Sequence, residues 1–163
     1  FISNLAQVIR IPEPTFSLIS LNEQARSVYS LTSIECRQRN IELSLSLTDN
    51  DQYIHVDGIQ FEQVLVNIIK NAYEAIGENG RIKISTHHSP LSIIIEDNGP
   101  GISEEAKQKL FTPFFTTKSS GQGIGLMFVR EVLTNHRCRF SLSTEEGYTR
   151  FKIFFPTADG TYS

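Results

Sequence analysis

The stretch from Asp97 to Leu126, DNGPGISEEAKQKLFTPFFTTKSSGQGIGL, constrains this chain more than any other. It holds five of the ten glycines in 30 of the 163 residues. The glycines form two clusters, Gly99 and Gly101 at one end and Gly121, Gly123 and Gly125 at the other. The apolar run Ile93-Ile94-Ile95 leads into the first cluster and reads as a buried strand. The second cluster opens onto a helical pattern from about Ile124 to Asn135. A strand therefore ends in a flexible turn, a polar and aromatic loop follows, and the loop closes on a helix N-terminus. Glycines let backbone approach a phosphate, and helix N–H groups point at it, so the layout suits a mobile lid over an anion. An ordinary long loop between core elements is the alternative, although loops of this length in compact domains are usually functional or disordered.

The flanking chain supplies a body for such a lid. Hydrophobic residues at 39% and charged residues at 20% suit a single globular domain with a proper core. A net charge of -3 with no basic cluster points away from nucleic acid as a partner. Cys36 and Cys138 fit neither a disulfide scaffold nor a zinc site, so a reducing cytoplasm is the simplest home. No apolar run is long enough to span a bilayer.

Residues 22–39 predict an amphipathic helix with Asn22 as its cap, and Ile41 to Leu47 and Tyr53 to Val56 predict strands. The clearest helix is Phe61 to Ile76, with an apolar stripe through Val64, Leu65, Ile68, Ile69 and Ala72, preceded by Asp57 as a cap. Arg81 to Thr86 with Leu91 to Glu96, and Arg139 to Ser143 with Tyr148 to Phe155, read as hairpins. Strands and helices in this mixed order predict one sheet covered by helices on one face.

Several residues could carry chemistry, each against an ordinary alternative. Asn67 and Asn71 project from one side of their helix. They are either a solvated polar face or amides beside a Mg²⁺ held mostly by phosphates and water. Lys70 is a surface lysine or a phosphate neighbour. Asp97-Asn98-Gly99 is a strong turn signal, yet Asp97 comes just after the apolar run Ile93-Ile94-Ile95 and needs a donor at the mouth of the core. An adenine amino group would supply one where guanine presents a carbonyl. Thr149 could place a hydroxyl in the same pocket or simply occupy a strand. Phe111, Phe114 and Phe115 could pack a closing lid or form a satellite cluster, and Lys118 could reach a terminal phosphate or remain solvated. Gly121-x-Gly123-x-Gly125 matches neither the phosphate-binding lysine loop nor the dinucleotide fingerprint. His55, His87, His88 and His136 show no metal spacing and suit ordinary surface or edge roles. No Ser/His/Asp or paired-carboxylate arrangement stands out.

The order of these signals is more specific than any one of them. Asn67-x-x-x-Asn71, Asp97-x-Gly99-x-Gly101, Phe111-x-x-Phe114-Phe115, Gly121-x-Gly123-x-Gly125 and Gly147-x-Thr149 together resemble the ATP-binding domain of bacterial sensor histidine kinases, of the superfamily shared with gyrase, Hsp90 and MutL. The run Phe111 to Lys118 looks most like the nitrogen-regulation type. The resemblance covers about Leu21 to Pro156. It implies a Bergerat-type two-layer α/β sandwich, a mixed and mostly antiparallel sheet covered on one face by helices, with a mobile ATP lid. It further implies ATP and Mg²⁺ as ligands, Asn71 as a metal ligand and Asn67 as its neighbour. Asp97 would read the adenine amino group, with Gly99 and Gly101 shaping the pocket edge and Thr149 beside it. Gly121, Gly123 and Gly125 would wrap the phosphates near Lys70 and Lys118, with Ile102, Phe111, Ile124 and Leu126 alongside. The ATP-hydrolysing relatives carry a Glu four residues before the magnesium Asn. Here that position is Asn67, which cannot activate water, and this suits a kinase whose nucleophile is a protein side chain.

None of the four histidines sits in a phosphoacceptor context. Residues 1–10 instead resemble the last turns of a dimerisation hairpin, so residues 1–20 are expected to be hairpin end and linker, 21–157 the catalytic domain and 158–163 a tail. The implied partners are a His-bearing dimerisation domain of the same protein and the receiver domain of a response regulator, in a homodimeric full-length protein. The expected location is cytoplasmic, with anchoring of the full protein at the inner membrane left open. A non-catalytic nucleotide sensor and a serine kinase of the anti-sigma-factor type are the alternatives, and the hairpin remnant points away from the latter.

Overall fold

The computed structural model describes residues 11–111 and 121–156, in the latter excluding the side chains of residues 121–124, and in the former those of 106 and 109–111. Seven strands and four helices alternate along them: β1 (Ser17–Ser20), α1 (Leu21–Gln38), β2 (Ile41–Ser46), β3 (Tyr53–Val56), α2 (Gly58–Ile76), β4 (Gly80–His87), β5 (Ser92–Asp97), α3 (Glu104–Phe111), α4 (Gly121–Asn135), β6 (Arg139–Glu145) and β7 (Tyr148–Phe154). Five strands form one sheet in the order β2-β4-β5-β7-β6. Only β2 and β4 run parallel; the other pairs are antiparallel. The mixed, mostly antiparallel sheet with helices packed on it is the architecture expected from the sequence.

Side chains alternate across a sheet, so the register stacks them into transverse rows. Ile84, Ile95, Phe151 and Leu142 make one row, and Ile93 pairs with Ile153 in the next. These side chains are all buried, with the helices above them. The opposite face carries Lys83, Glu96 and Arg150, and the Arg150 Nε donates to Glu96 Oε1 at 2.8 Å.

The covering helices are pinned at their ends. The Asp57 side chain accepts from the N–H groups of Ile59 and Gln60, both at 3.1 Å, and starts α2 as expected. Gly77, at φ 79°, ends it, and Arg39 donates to the carbonyls of Tyr73 and Gly77 at the close of the helix. Phe61, Val64, Leu65, Ile68, Ile69 and Ala72 are buried, which is the predicted stripe. Cys36 and Cys138 are free and buried, and desolvation pushes the Cys138 thiol up to about 12, so both behave as small core hydrophobes.

Three local expectations change. Asn22 does not cap α1: Ser20 does, accepting from the Glu23 N–H at 3.1 Å. Asn22 lies inside the first turn, buried, donating to the Thr48 carbonyl at 2.9 Å and accepting from the Thr86 hydroxyl at 2.6 Å. The end of the expected linker contains β1, which pairs antiparallel with β3 in a separate two-stranded sheet. The supposed loop after Gly101 contains α3, whose first turn carries Glu104 and Glu105, carboxylates that favour a helix N-terminus. Of the lid expected within Asp97 to Leu126, residues 112–120 lie outside the described residues, as does the hairpin remnant expected in residues 1–10.

Candidate functional site

A cavity of about 250 Å³ opens where the apolar rows of the sheet run out. α2 supplies Ile68, Asn71, Ala72 and Ala75 to one wall, and the sheet supplies Ile95, Asp97, Leu142, Thr149 and Phe151 to the other. Gly101, Ile102 and Ser103 close one rim, and Leu126 of α4 reaches in from above. The lining is mostly apolar with a few placed polar groups, the ordinary make-up of a small-molecule site.

The polar groups lie on the last row of the sheet. Ile82, Asp97, Thr149 and Thr144 are successive partners across β4, β5, β7 and β6. Asp97 and Thr149 are thus direct cross-strand neighbours, 9% and 7% exposed. The Asp97 carboxylate accepts the Gly99 N–H at 2.8 Å, an Asx turn that uses one oxygen. Burial pushes its pKa above the ordinary carboxylate value, the Gly99 N–H pulls it down, and Glu96 raises it further. Among the described residues it has no cationic partner. The Thr149 and Thr144 hydroxyls lie 3.2 Å apart.

The two glycines of the first cluster have definite reasons. Gly101 has φ +93°, a conformation L side chains rarely adopt. A Cβ at Gly99 would stand 2.9 Å from Asp97 Oδ1 and 3.0 Å from Ile76 Cγ1, so any side chain there would push on the carboxylate.

On the helical wall, Asn71 carries one of only two buried side-chain polar atoms without a partner among the described residues, its Nδ2. An orphaned amide on a cavity wall costs stability unless a ligand uses it. Rotation about Cβ–Cγ exchanges its nitrogen and oxygen, so the group can offer either a donor or a metal-binding oxygen.

The cavity brings together Asn71, Asp97, Gly101, Ile102, Leu126 and Thr149 from the sequence-predicted set, with Gly99 behind the carboxylate. It does not take in Asn67, which accepts from Gln63 Nε2 at 3.0 Å one turn earlier on α2, or the exposed Lys70. Gly121, Gly123, Ile124 and Gly125 form the first turn of α4. A Cβ built on Gly125 meets no atom of the described residues within 4 Å, so packing against them does not require glycine there. Phe111 ends α3, and Lys118 lies outside the described residues. Sequence reasoning missed Ile68, Ala72 and Ala75, which share a face with Asn71, and Ile95, Phe151 and Leu142, which form the row beneath the polar one. Strand alternation from Asp97 and Thr149 was the available signal for Ile95 and Phe151.

Of the histidines, His136 departs from the expected surface role. It is buried, its Nε2 accepts the Asp57 N–H at 3.0 Å, and its Nδ1 donates to the Val132 carbonyl at 2.8 Å. Both ring nitrogens are committed to structure, and burial lowers its pKa against the opposing pull of the Val132 carbonyl and Asp57.

A mixed sheet covered by helices, with a cavity between them at its polar end, defines a two-layer α/β sandwich with a small-molecule pocket. The chain belongs to the family of histidine kinase-, DNA gyrase B-, and HSP90-like ATPases, whose description matches residues 56–159. It is similar to the nucleotide-free catalytic domain of histidine kinase ThkA, with a TM-score of 0.74 and 36% identity over 87% of this chain and 95% of that one. ThkA in complex with response regulator protein TrrA aligns with a TM-score of 0.69 and 31% identity, over 88% of this chain and 42% of that one. Sensor histidine kinase ZraS of Escherichia coli (strain K12) is 29% identical over 158 residues, which are 95% of this chain and 34% of ZraS. The chain therefore spans about a third of the length of these curated relatives.

Proposed function

We propose that this chain is the ATP-binding catalytic domain of a sensor histidine kinase. In the complete protein it passes the γ-phosphoryl of ATP to a histidine on a dimerisation domain, for relay to a response regulator. The observation that carries this reading is the pairing of Asp97 and Thr149 at the polar end of an apolar cavity, with the orphaned Asn71 amide on the facing helix. Similarity to the ThkA catalytic domain, and to ThkA bound to its regulator, supports it.

The residues divide the work by chemistry. Ile68, Ala72, Ile95 and Phe151 give the base an apolar slot and exclude water. Asp97 accepts the exocyclic amino group of adenine through the oxygen that Gly99 leaves open. Asn71 fits a Mg²⁺ held chiefly by phosphates and water, turning its amide oxygen toward the metal and ending its isolation. When bound, the metal supplies positive charge against the phosphates. Gly125 and the other glycines of the first turn of α4 leave room for phosphate at a helix N-terminus. Lys118 adds charge at the terminal phosphate, and Asn67 stands where a hydrolase would hold a general base. Catalysis on this reading is positioning and charge neutralisation, with water kept unactivated.

Phosphotransfer from γ-labelled ATP in a longer protein that includes the phosphoacceptor region tests the proposal. Labelling of a histidine and onward transfer to a receiver domain is the expected result. ATP binding with no transfer would overturn the kinase reading in favour of a nucleotide sensor.

A further inference from the structure

We infer that Thr144, on the edge strand β6, is a positioning residue that sets the Thr149 hydroxyl as a donor toward the base and thereby helps determine nucleotide specificity. The inference rests on the adenine reading above and adds to it a residue outside the cavity lining.

Its basis is the end row of the sheet. Thr144 and Thr149 are register partners, and their hydroxyl oxygens lie 3.2 Å apart. A hydroxyl has one proton and two lone pairs, so the pair has two arrangements. If Thr149 donates to Thr144, it offers the cavity lone pairs only, beside the acceptor Asp97. Two adjacent acceptors then face the ligand. If Thr144 donates to Thr149, the Thr149 proton is released toward the cavity, and a donor stands beside an acceptor.

The surroundings select the second arrangement. Thr149 is buried with Asp97 as its register partner on the other side, and the negative charge there favours a Thr149 hydroxyl whose proton faces away from β6 and into the cavity. Thr144 is exposed, and water can serve its own lone pairs. The Gly101 backbone roofs the pair: a Cβ there would sit 3.4 Å from Thr144 Oγ1 and 3.8 Å from Thr149 Oγ1.

A donor beside an acceptor complements a ring nitrogen beside an amino group, the pattern of adenine. Hypoxanthine and guanine present a carbonyl beside a ring N–H, the reverse pattern. Asp97 alone distinguishes the amino group from the carbonyl. Thr149, oriented by Thr144, adds a second point of discrimination at the neighbouring ring nitrogen.

Calorimetric titration of the 163-residue chain with ATP and with inosine triphosphate tests this. Thr144→Val removes the hydroxyl with little change of shape, and Thr144→Ser keeps it. The expected result is that Thr144→Val reduces the ATP-over-inosine preference roughly tenfold, as for loss of one hydrogen bond, while Thr144→Ser stays within about twofold of the parent. Thr144→Ala replaces the valine variant should that one fail to melt cooperatively. An unchanged preference in a folded Thr144→Val or Thr144→Ala protein overturns the role of Thr144 and leaves the adenine site standing. No preference in the parent chain overturns both.

Discussion

At the scale of the residue, Asp97 is a carboxylate placed where burial opposes its charge. Its pKa is raised from 3.8, chiefly by desolvation, so the unfolded chain gives up this proton more readily than the folded one. The contribution to stability is then greatest at low pH and is lost as pH rises from 3.8 through the folded value. Asp97→Asn should therefore melt at or above the parent temperature at pH 7, with a smaller difference near pH 4. It should also lose about 10- to 100-fold of the preference for ATP over GTP, the scale of a hydrogen bond to a charged group. Scanning calorimetry and titration of the one variant check both halves, and a variant that keeps the preference refutes the base-reading role. Asp97 was legible in the sequence because an apolar run ended in a carboxylate and two glycines. Thr144 was not, because its importance comes from a register that pairs it with Thr149, and no local pattern announces register. Asn71 was legible as a position, but only the folded contacts show that its Nδ2 is shut in without a partner while the equally half-buried Asn67 is satisfied by Gln63.

At the scale of the element, the start of α2 is a junction. Asp57 Oδ2 accepts the Thr15 N–H at 2.8 Å while Oδ1 caps the helix, and the Asp57 N–H donates to His136 beyond the end of α4. Phe16 packs on His55 and His136, each with centroids 5.1 Å apart. The N-terminal segment, the Asn71 helix and the far end of α4 thus meet at one residue. Asp57→Ala removes a cap and a tie together and should cost about 1–2 kcal/mol, read as a lower denaturant midpoint, whereas Asp57→Asn should keep the cap, lose the tie to Thr15 and fall between the two. The buried His136 adds a pH dependence with a definite sign. Its pKa is lowered from 6.5 in the fold, so its contribution is complete above 6.5 and is lost as pH falls from there toward the folded value. The melting temperature of the parent should fall as pH drops below 6.5, and His136→Gln should flatten that slope; an unaltered slope would place the titration elsewhere. Long periodic elements such as α2 were legible. The strand β1 was not, being four residues long with Leu18 turned to solvent. The helix α3 was hidden by its position inside a stretch that reads as loop.

At the scale of the whole molecule, the features that suit the site to a nucleotide work against the fold without one. Asp97 is buried with its charge opposed, the half-buried Asn71 has its Nδ2 shut in and unmet, and the cavity of about 250 Å³ interrupts the packing between α2 and the sheet. A ligand that satisfies all three should stabilise the domain strongly. At 100 times its dissociation constant, ATP with Mg²⁺ should add about 2.7 kcal/mol, and at about 2–4 °C per kcal/mol for a domain of this size that is a rise of roughly 5–11 °C. Asn71→Ala separates the metal from the base. Without ligand it should melt no lower than the parent, because it removes an unsatisfied buried group. With ATP and a chelator it should show the same rise as the parent under those conditions. With ATP and Mg²⁺ the parent should rise further and the variant should not. Thermal melting across these conditions tests the assignment, and a variant that keeps the full magnesium increment would remove Asn71 from the metal site while leaving the base-reading row intact.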